Sequence, residues 1–305
     1  MYDASDMPEL PDVAVYVEAL TAVAGGHQLR AIHLRSPFVL RSVTPPLTAV
    51  HERRLHGVSR LGKRIVLAFE PDEAKGESEE LFLVIHLMIA GRLRWRTKAP
   101  LPPAKLTLAV LEFEHGQLFF TEAGSTKRAS LQLASGRAAL AALDPGGLEP
   151  LDIPVATFRE VLSRENHTLK RALTDPHLLS GIGNAYSDEI LHAARLSPLK
   201  LTHSLTAEEW SRLHEATRTT LQLWIERLRR DAGGAFPEKV TAFREDMAVH
   251  GRFNQPCPVC SAPVQRIVYT DNECNYCAKC QTGGRRLADR AMSRLLKDAW
   301  PRTID

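Results

Sequence analysis

Between residues 28 and about 140, apolar residues come in short runs, at 28–34, 64–69, 81–87, 106–113 and 117–121, separated by stretches such as Thr44-Pro45-Pro46 and residues 100–103. Runs of this length bounded by turn formers predict strands, and their cadence predicts a β-sandwich. Ahead of them, Pro11 followed by Val13, Val17 and Leu20 predicts a helix with proline in its first turn. Asp144-Pro145-Gly146-Gly147-Leu148-Glu149-Pro150 is the clearest linker, and the predicted domain boundary lies there. Beyond Val155 the spacing turns helical. Helices are predicted at 156–164, 169–173 and 182–196, the last with Ile190, Leu191 and Ala194 on one face. A longer one at 205–230 puts Leu213, Leu221, Trp224 and Leu228 inward and Arg227, Arg229 and Arg230 on a solvated face. Toward the end, Val264, Arg266 and Val268 alternate before an expected Asp271-Asn272 turn. Residues 285–300 read as a basic docking helix with Leu287, Leu295 and Leu296 inward.

The length of 305 residues suggests about two domains. No apolar run is long enough to span a bilayer, and the first residues lack the basic-then-apolar order of a secretion signal, so a cytoplasmic protein is expected. A net charge of +3 permits a nucleic-acid partner without demanding one. All five cysteines fall between Cys257 and Cys280. That clustering argues against a disulfide scaffold and for one local metal site. Cys257-Pro-Val-Cys260 and Cys277-Ala-Lys-Cys280 form two C-x₂-C knuckles at zinc-ribbon spacing, and four thiolates suit one structural Zn²⁺. Cys274 and Cys277 make a competing pair. The mirrored knuckles favour Cys277 and Cys280 as ligands and leave Cys274 a free thiol.

Candidate chemistry begins at Met7-Pro8-Glu9-Leu10-Pro11-Asp12. If the working chain starts at Pro8, its secondary amine can attack a sugar aldehyde carbon and form an iminium, with Glu9 as the acid/base partner. The start of a helix beside that amine disfavours its protonated form. A capped helix start with two incidental prolines explains the same residues. Lys63 follows Gly62 at the start of an apolar strand, where its ammonium either points into a cleft or guards a sheet edge. Gly181-Ile182-Gly183-Asn184 offers a tight turn with outward N–H groups, either a phosphate seat or an ordinary interhelical turn. Lys170 and Asn184 are placed to add contacts, and Lys127 and Arg128 lie in a polar loop suited to phosphate or to solvent.

In their order, the Met7–Asp12 stretch, Gly62-Lys63, His86-Leu87 with Gly91, Leu169-Lys170, Gly181-Ile182-Gly183-Asn184-Ala185-Tyr186, Glu189, His250-Gly251-Arg252 and the four cysteines resemble the formamidopyrimidine-DNA glycosylase and endonuclease VIII family over residues 7–282. The resemblance implies an α+β protein with an N-terminal β-sandwich (7–145), a helix-two-turn-helix domain (151–250) and a β-hairpin zinc finger (251–283), followed here by the basic extension at 284–305. It implies a monomer that binds damaged DNA, removes oxidised bases and cleaves the abasic site. It makes Pro8 the nucleophile, Glu9 the acid/base and Lys63 the elimination-assisting lysine, with Lys170, Gly183 and Asn184 on phosphate. Three positions depart from the common bacterial pattern. Met88-Ile89 replaces a Gly-Met pair, which makes Ile89 the wedge. In the 121–129 loop Arg128 is kept but Ala129 stands for an aromatic, and Asn272 stands for an arginine of the finger. A non-catalytic DNA-binding protein of the same fold is the competing reading. A zinc-ribbon adaptor explains the cysteines but not Pro8, Glu9 or Lys63.

Overall fold

The computed structural model describes residues 7–72, 76, 78–98, 100–124, 126–238, 240–241, 244–269, 272–287 and 303. The leader at 1–6, Asp271 of the expected hairpin turn and all but the first residues of the expected C-terminal helix lie outside the described residues, although Leu287 is buried as predicted.

Helix α1 (Leu10–Ala24) opens with Pro11 in its first turn, where a missing N–H costs no helical bond. It buries Leu10, Val13, Tyr16, Leu20 and Ala24. The predicted strands follow as β1 (Gln28–Leu34), β3 (Arg64–Phe69), β4 (Leu81–His86), β6 (Thr107–Phe113) and β7 (Gly116–Glu122). Three more were not foreseen: β2 (Arg53–Leu61), β5 (Gly91–Arg96) and β8 (Ser130–Ser135). β2 and β5 are crowded with arginine, buried at Arg53 and partly or fully exposed elsewhere, which masks the alternation that Leu55 or Leu93 begins. β8 contributes only Leu131 and Leu133 to the large core. Between β4 and β5 the turn is confined to residues 87–90.

The strands run antiparallel in the order β5-β7-β6-β1-β2-β3-β4-β8. β1 meets β2 through Gln28↔Arg54 and Leu29↔Arg53 alone. The sheet therefore folds over at that seam into two four-stranded leaves. Leu29, Leu111 and Phe120 of one leaf share a core with Ile65, Leu83 and Leu131 of the other, which is the predicted sandwich.

A short helix α2 (Gly136–Ala141) leads out of the sheet, and α3 (Val155–Leu162), α4 (Leu169–Thr174), α5 (Asn184–Ala193) and α6 (Ala207–Ala232) build a second core around Phe158, Tyr186 and Trp224. Leu10 belongs to this second core while Val13 and Tyr16 belong to the first, so α1 is packed into both. The arginines of α6 are not simply solvated. Arg229 pairs with Glu18 of α1 at 2.7 Å, and Arg227 lies over Trp224 and reaches Asp246. Nor does α5 have a single buried face: every residue from Ala185 to His192 is buried. Strands β9 (Val264–Val268) and β10 (Glu273–Cys277) then form the expected hairpin, followed by helix α7 (Ala278–Thr282). Its buried apolar positions are Val264 and Ile267; Val268 is 48% exposed, and Arg266 turns outward to stack on Phe253. Among the described residues no helix is long and apolar enough to cross a membrane.

Helix α6 starts at a capping box in which Thr206 Oγ1 accepts from Glu209 N–H and the Glu209 carboxylate accepts from Thr206 N–H. Thr206→Ala removes half of it and is expected to cost about 1 kcal/mol, read as a lower urea midpoint. An unchanged midpoint would show that water caps this helix equally well.

Candidate active site and nucleic-acid interface

The N-terminal stretch is seated by hydrogen bonds that its own sequence supplies. Glu9 N–H donates to Asp12 Oδ2 at 2.9 Å, which closes the first turn of α1. The Glu9 side chain is then free to face the other half of the molecule. Its carboxylate accepts from the backbone N–H groups of Gly183 (2.6 Å), Ala185 (2.9 Å) and Tyr186 (3.3 Å), donors that the first turn of α5 cannot satisfy internally. One residue on, Leu10 N–H donates to Gly181 O at 2.9 Å. Pro8 and Glu9 are both buried.

Gly183 is where the pieces meet. A Cβ there would lie 2.3 Å from Lys63 Nζ and 2.5 Å from Glu9 Oε1. Only glycine leaves room for ammonium and carboxylate together. Lys63 arrives from the two-residue loop between β2 and β3, where Leu61 pairs with Arg64 and Gly62 takes the left-handed conformation (φ 61°). β3 lies between β2 and β4, so this lysine guards no sheet edge. Burial pushes the Lys63 amine below the usual lysine range, with Glu9 acting against the shift and Lys170 reinforcing it. Nearby, burial and the charges of Arg64 and Lys63 bring His86 down to about 4, so its ring is neutral at physiological pH.

Asp12 was part of the motif without a role. It is fully buried, its Oδ1 has no partner among the described residues, and burial lifts its carboxyl to about 7 against the opposing bond from Glu9 N–H. It forms part of the wall of an open cavity of about 510 Å³ that Leu228, Phe236, Glu238, Val240 and Arg244 also line. That volume lies within the range of small-molecule pockets. Glu238 fastens this wall to the sandwich through Arg94 and Arg96.

The residues expected on phosphate are more engaged than a free basic patch would be. Lys170 Nζ donates to Asp188 Oδ1 (2.5 Å) and to Asn184 O (2.7 Å), and Asn184 Nδ2 donates to Glu273 O (2.8 Å). Arg128 is exposed in its loop, held at the backbone by the buried carboxylate of Glu122, which accepts from the N–H groups of Arg128 and Ala129. Ala129 itself is buried. Ile89 is half-buried in the 87–90 turn, after Met88 in the left-handed region (φ 52°), and its carbonyl is clamped by Arg92. Asn272 is exposed at the finger's tip. Three connections had no sequence signal: Asp188 bridging Lys170 and His250, Glu189 accepting from the N–H groups of Ala248, Val249 and His250, and His192 Nε2 lying 3.3 Å from Cys257 Sγ. Glu189 and His250 stood in the motif, but nothing in their spacing indicated what they touch.

The Sγ atoms of Cys257, Cys260, Cys277 and Cys280 all lie within 4.8 Å of one another, with Cys260–Cys277 at 3.4 Å and Cys257–Cys280 at 3.9 Å. A tetrahedron of Zn–S bonds has edges of about 3.8 Å, so the donor set and its spacing fit a four-thiolate metal site. Cys274 is buried beside Ile267 and Tyr276, apart from that cluster.

Comparison with known proteins agrees with this geometry. Residues 7–127 match the formamidopyrimidine-DNA glycosylase N-terminal domain, and residues 147–233 match the formamidopyrimidine-DNA glycosylase H2TH domain. An uncharacterized formamidopyrimidine-DNA glycosylase-like protein of Mycobacterium tuberculosis is 39% identical over 50% of this chain and 94% of its own. The formamidopyrimidine-DNA glycosylase of Thermus thermophilus is 34% identical over 91% of this chain and 100% of its own. The crystal structure of the Lactococcus lactis Fpg in complex with DNA containing an abasic site superposes with a TM-score of 0.76 at 25% identity, covering 90% of this chain and 99% of that one. With both halves matched and full-length relatives above 30% identity, the chain belongs to the formamidopyrimidine-DNA glycosylase family.

Proposed function

We propose that the protein removes oxidised bases from DNA and cleaves the resulting abasic site through a Schiff base at the Pro8 nitrogen. The observation that carries this reading is the seat of Pro8-Glu9 on the start of α5, with Lys63 Nζ held against the same glycine. In this reading the neutral secondary amine of Pro8 attacks the sugar C1′ as the base departs, and Glu9 manages protons at that sugar. The resulting iminium acidifies the neighbouring carbon, and the 3′ phosphate leaves by elimination. Lys63, whose buried amine is biased toward the neutral form, assists that proton transfer.

The extruded base enters the cavity that Phe236, Val240 and Arg244 line beside Asp12. Arg128, Lys170, Gly183 and Asn184 hold the flanking phosphates, and Ile89 fills the gap in the stack. The four clustered thiolates hold one structural Zn²⁺, which folds the finger and takes no part in the chemistry. We divide the chain into 7–145, 151–250 and a finger at 251–283; the two apolar cores fall mainly on either side of residues 146–150, with Leu10 and Val240 crossing over.

The mechanism needs a terminal amine, so the active form begins at Pro8; the family match opens at Met7, directly before it. Borohydride trapping on abasic duplex is expected to give a covalent adduct with protein starting at Pro8 and none with protein retaining Met1 to Met7. Absence of adduct from both forms, with DNA still bound, would sink the lyase reading in favour of a non-catalytic damage binder. For the metal, Cys277→Ser is expected to lose the zinc measured by atomic emission, and Cys274→Ser to keep it. The reverse outcome would reassign the ligands. Ile89→Ala is expected to slow base excision about tenfold while sparing cleavage of a preformed abasic site, because unstacking a base step costs a few kcal/mol. Equal losses on both substrates would make Ile89 an ordinary packing residue.

A further inference from the structure

The carboxylate of Asp188 is fully buried and shared. Oδ1 takes a hydrogen bond from Lys170 Nζ at 2.5 Å, while Oδ2 faces His250 Nδ1 at 2.8 Å and takes a third bond from Asn275 N–H at 3.1 Å. His250 is 1% exposed, and its other ring nitrogen, Nε2, is buried without a partner among the described residues. With His250 neutral, Lys170 and Asp188 cancel, and a phosphate approaching Lys170 meets no net charge. With a proton on both ring nitrogens the three groups together carry one positive charge, and the attraction between Lys170 and an incoming anion is no longer cancelled.

We infer that DNA binding by this protein is coupled to proton uptake at His250, a positioning residue that acts on a phosphate through Asp188 and Lys170. The inference rests on the reading that Lys170 meets a DNA phosphate. The backbone is built to keep the ring in place. Glu189 Oε1 accepts from His250 N–H at 3.0 Å, and Asn275 Oδ1 accepts from Gly251 N–H at 2.7 Å. The charged groups that act on the ring are Asp188 and Glu189 from α5, Lys170 from α4 and Glu9 ahead of α1. Burial alone would lower the imidazole's pKa. The bond to Asp188 and its charge outweigh that, so the ring titrates above its ordinary range, with Glu9 adding to the rise and Lys170 opposing it.

The sign follows from linkage. A phosphate next to Lys170 favours the protonated ring, so the pKa of His250 is higher in the complex than in the free protein. Affinity is then flat below the free-protein pKa and falls as pH rises from that value to the value in the complex. The total loss is tenfold for each unit between the two.

The test uses the full zinc-loaded chain and a duplex carrying a reduced, uncleavable abasic site. Kd is measured from pH 5.5 to 8.5 at constant salt, and proton uptake by calorimetry in buffers of different ionisation enthalpy. The wild-type protein is expected to take up part of a proton at neutral pH and to bind more weakly toward the alkaline end. His250→Gln, which can still donate to Asp188 but cannot charge, is expected to bind at the weaker alkaline level throughout, with zinc content unchanged. His250→Tyr serves the same purpose should the glutamine variant fail to fold. A wild-type affinity that is flat across the range, no proton uptake, or the same slope in wild type and variant overturns the inference. Failure to bind the duplex at any pH would instead remove the phosphate reading beneath it.

Discussion

A buried carboxylate must be fully hydrogen-bonded or it destabilises the fold by several kcal/mol, and in this molecule that requirement organises the site. Glu9 meets it at the first turn of α5, where unsatisfied N–H groups and a favourable dipole coincide. The N-terminal stretch, whose helix packs into both cores, is thereby fastened to the helical half. α1 sends Leu10 into the helical core and Val13 and Tyr16 into the sandwich, so any tilt of α1 that loosened Glu9 would also disturb packing on both sides. Lys63 comes from a different hairpin and still reaches the same glycine, and Gly183 has no Cβ to keep it away.

Helix α5 carries the coupling onward. An eight-residue buried stretch containing Asp188, Glu189 and His192 is costly to desolvate, and the compensation is specific. Asp188 binds α4 and the hairpin, Glu189 fixes the backbone at 248–250, and His192 lies against Cys257. The finger is docked through polar groups that accept only one arrangement. Its register relative to the N-terminal stretch is therefore set by hydrogen bonds from the same helix whose first turn holds Glu9.

This arrangement explains what could be read from the sequence. Five strands of the sandwich, five helices and both cysteine knuckles announce themselves because their signals are local: apolar runs, helical spacing, a repeated C-x₂-C. Strands β2 and β5 were hidden by arginines whose aliphatic stems and ion pairs let them line a half-exposed leaf, as Arg96 does with Glu238. Pro8, Glu9 and Lys63 could be nominated individually, and the resemblance gave them roles. That Glu9 and Lys63 meet at Gly183, which a Cβ would forbid, is a tertiary fact with no sequence periodicity behind it. The same holds for Asp188, which reads as one more polar residue on a helix until its partners, 18 and 62 positions away, are in place.

The positions where this chain departs from the common family pattern lie outside the helix and the N-terminal stretch that meet at Gly183. Ile89 sits in the turn between β4 and β5, Ala129 at the end of the loop that Glu122 tethers, and Asn272 at the finger's tip. A side chain at Gly124 would lie only 3.5 Å from Ala90, so the first two departures occupy neighbouring turns of one surface. Ala129 is turned inward and buried, which leaves that surface without the aromatic the pattern supplies. Such turns can change residues at little cost to the fold, whereas a substitution at Glu9 or Gly183 breaks a satisfied, close-packed arrangement. The turns that carry the departures are thus free to diverge, while the meeting of Glu9, Lys63 and Gly183 is held by packing constraints.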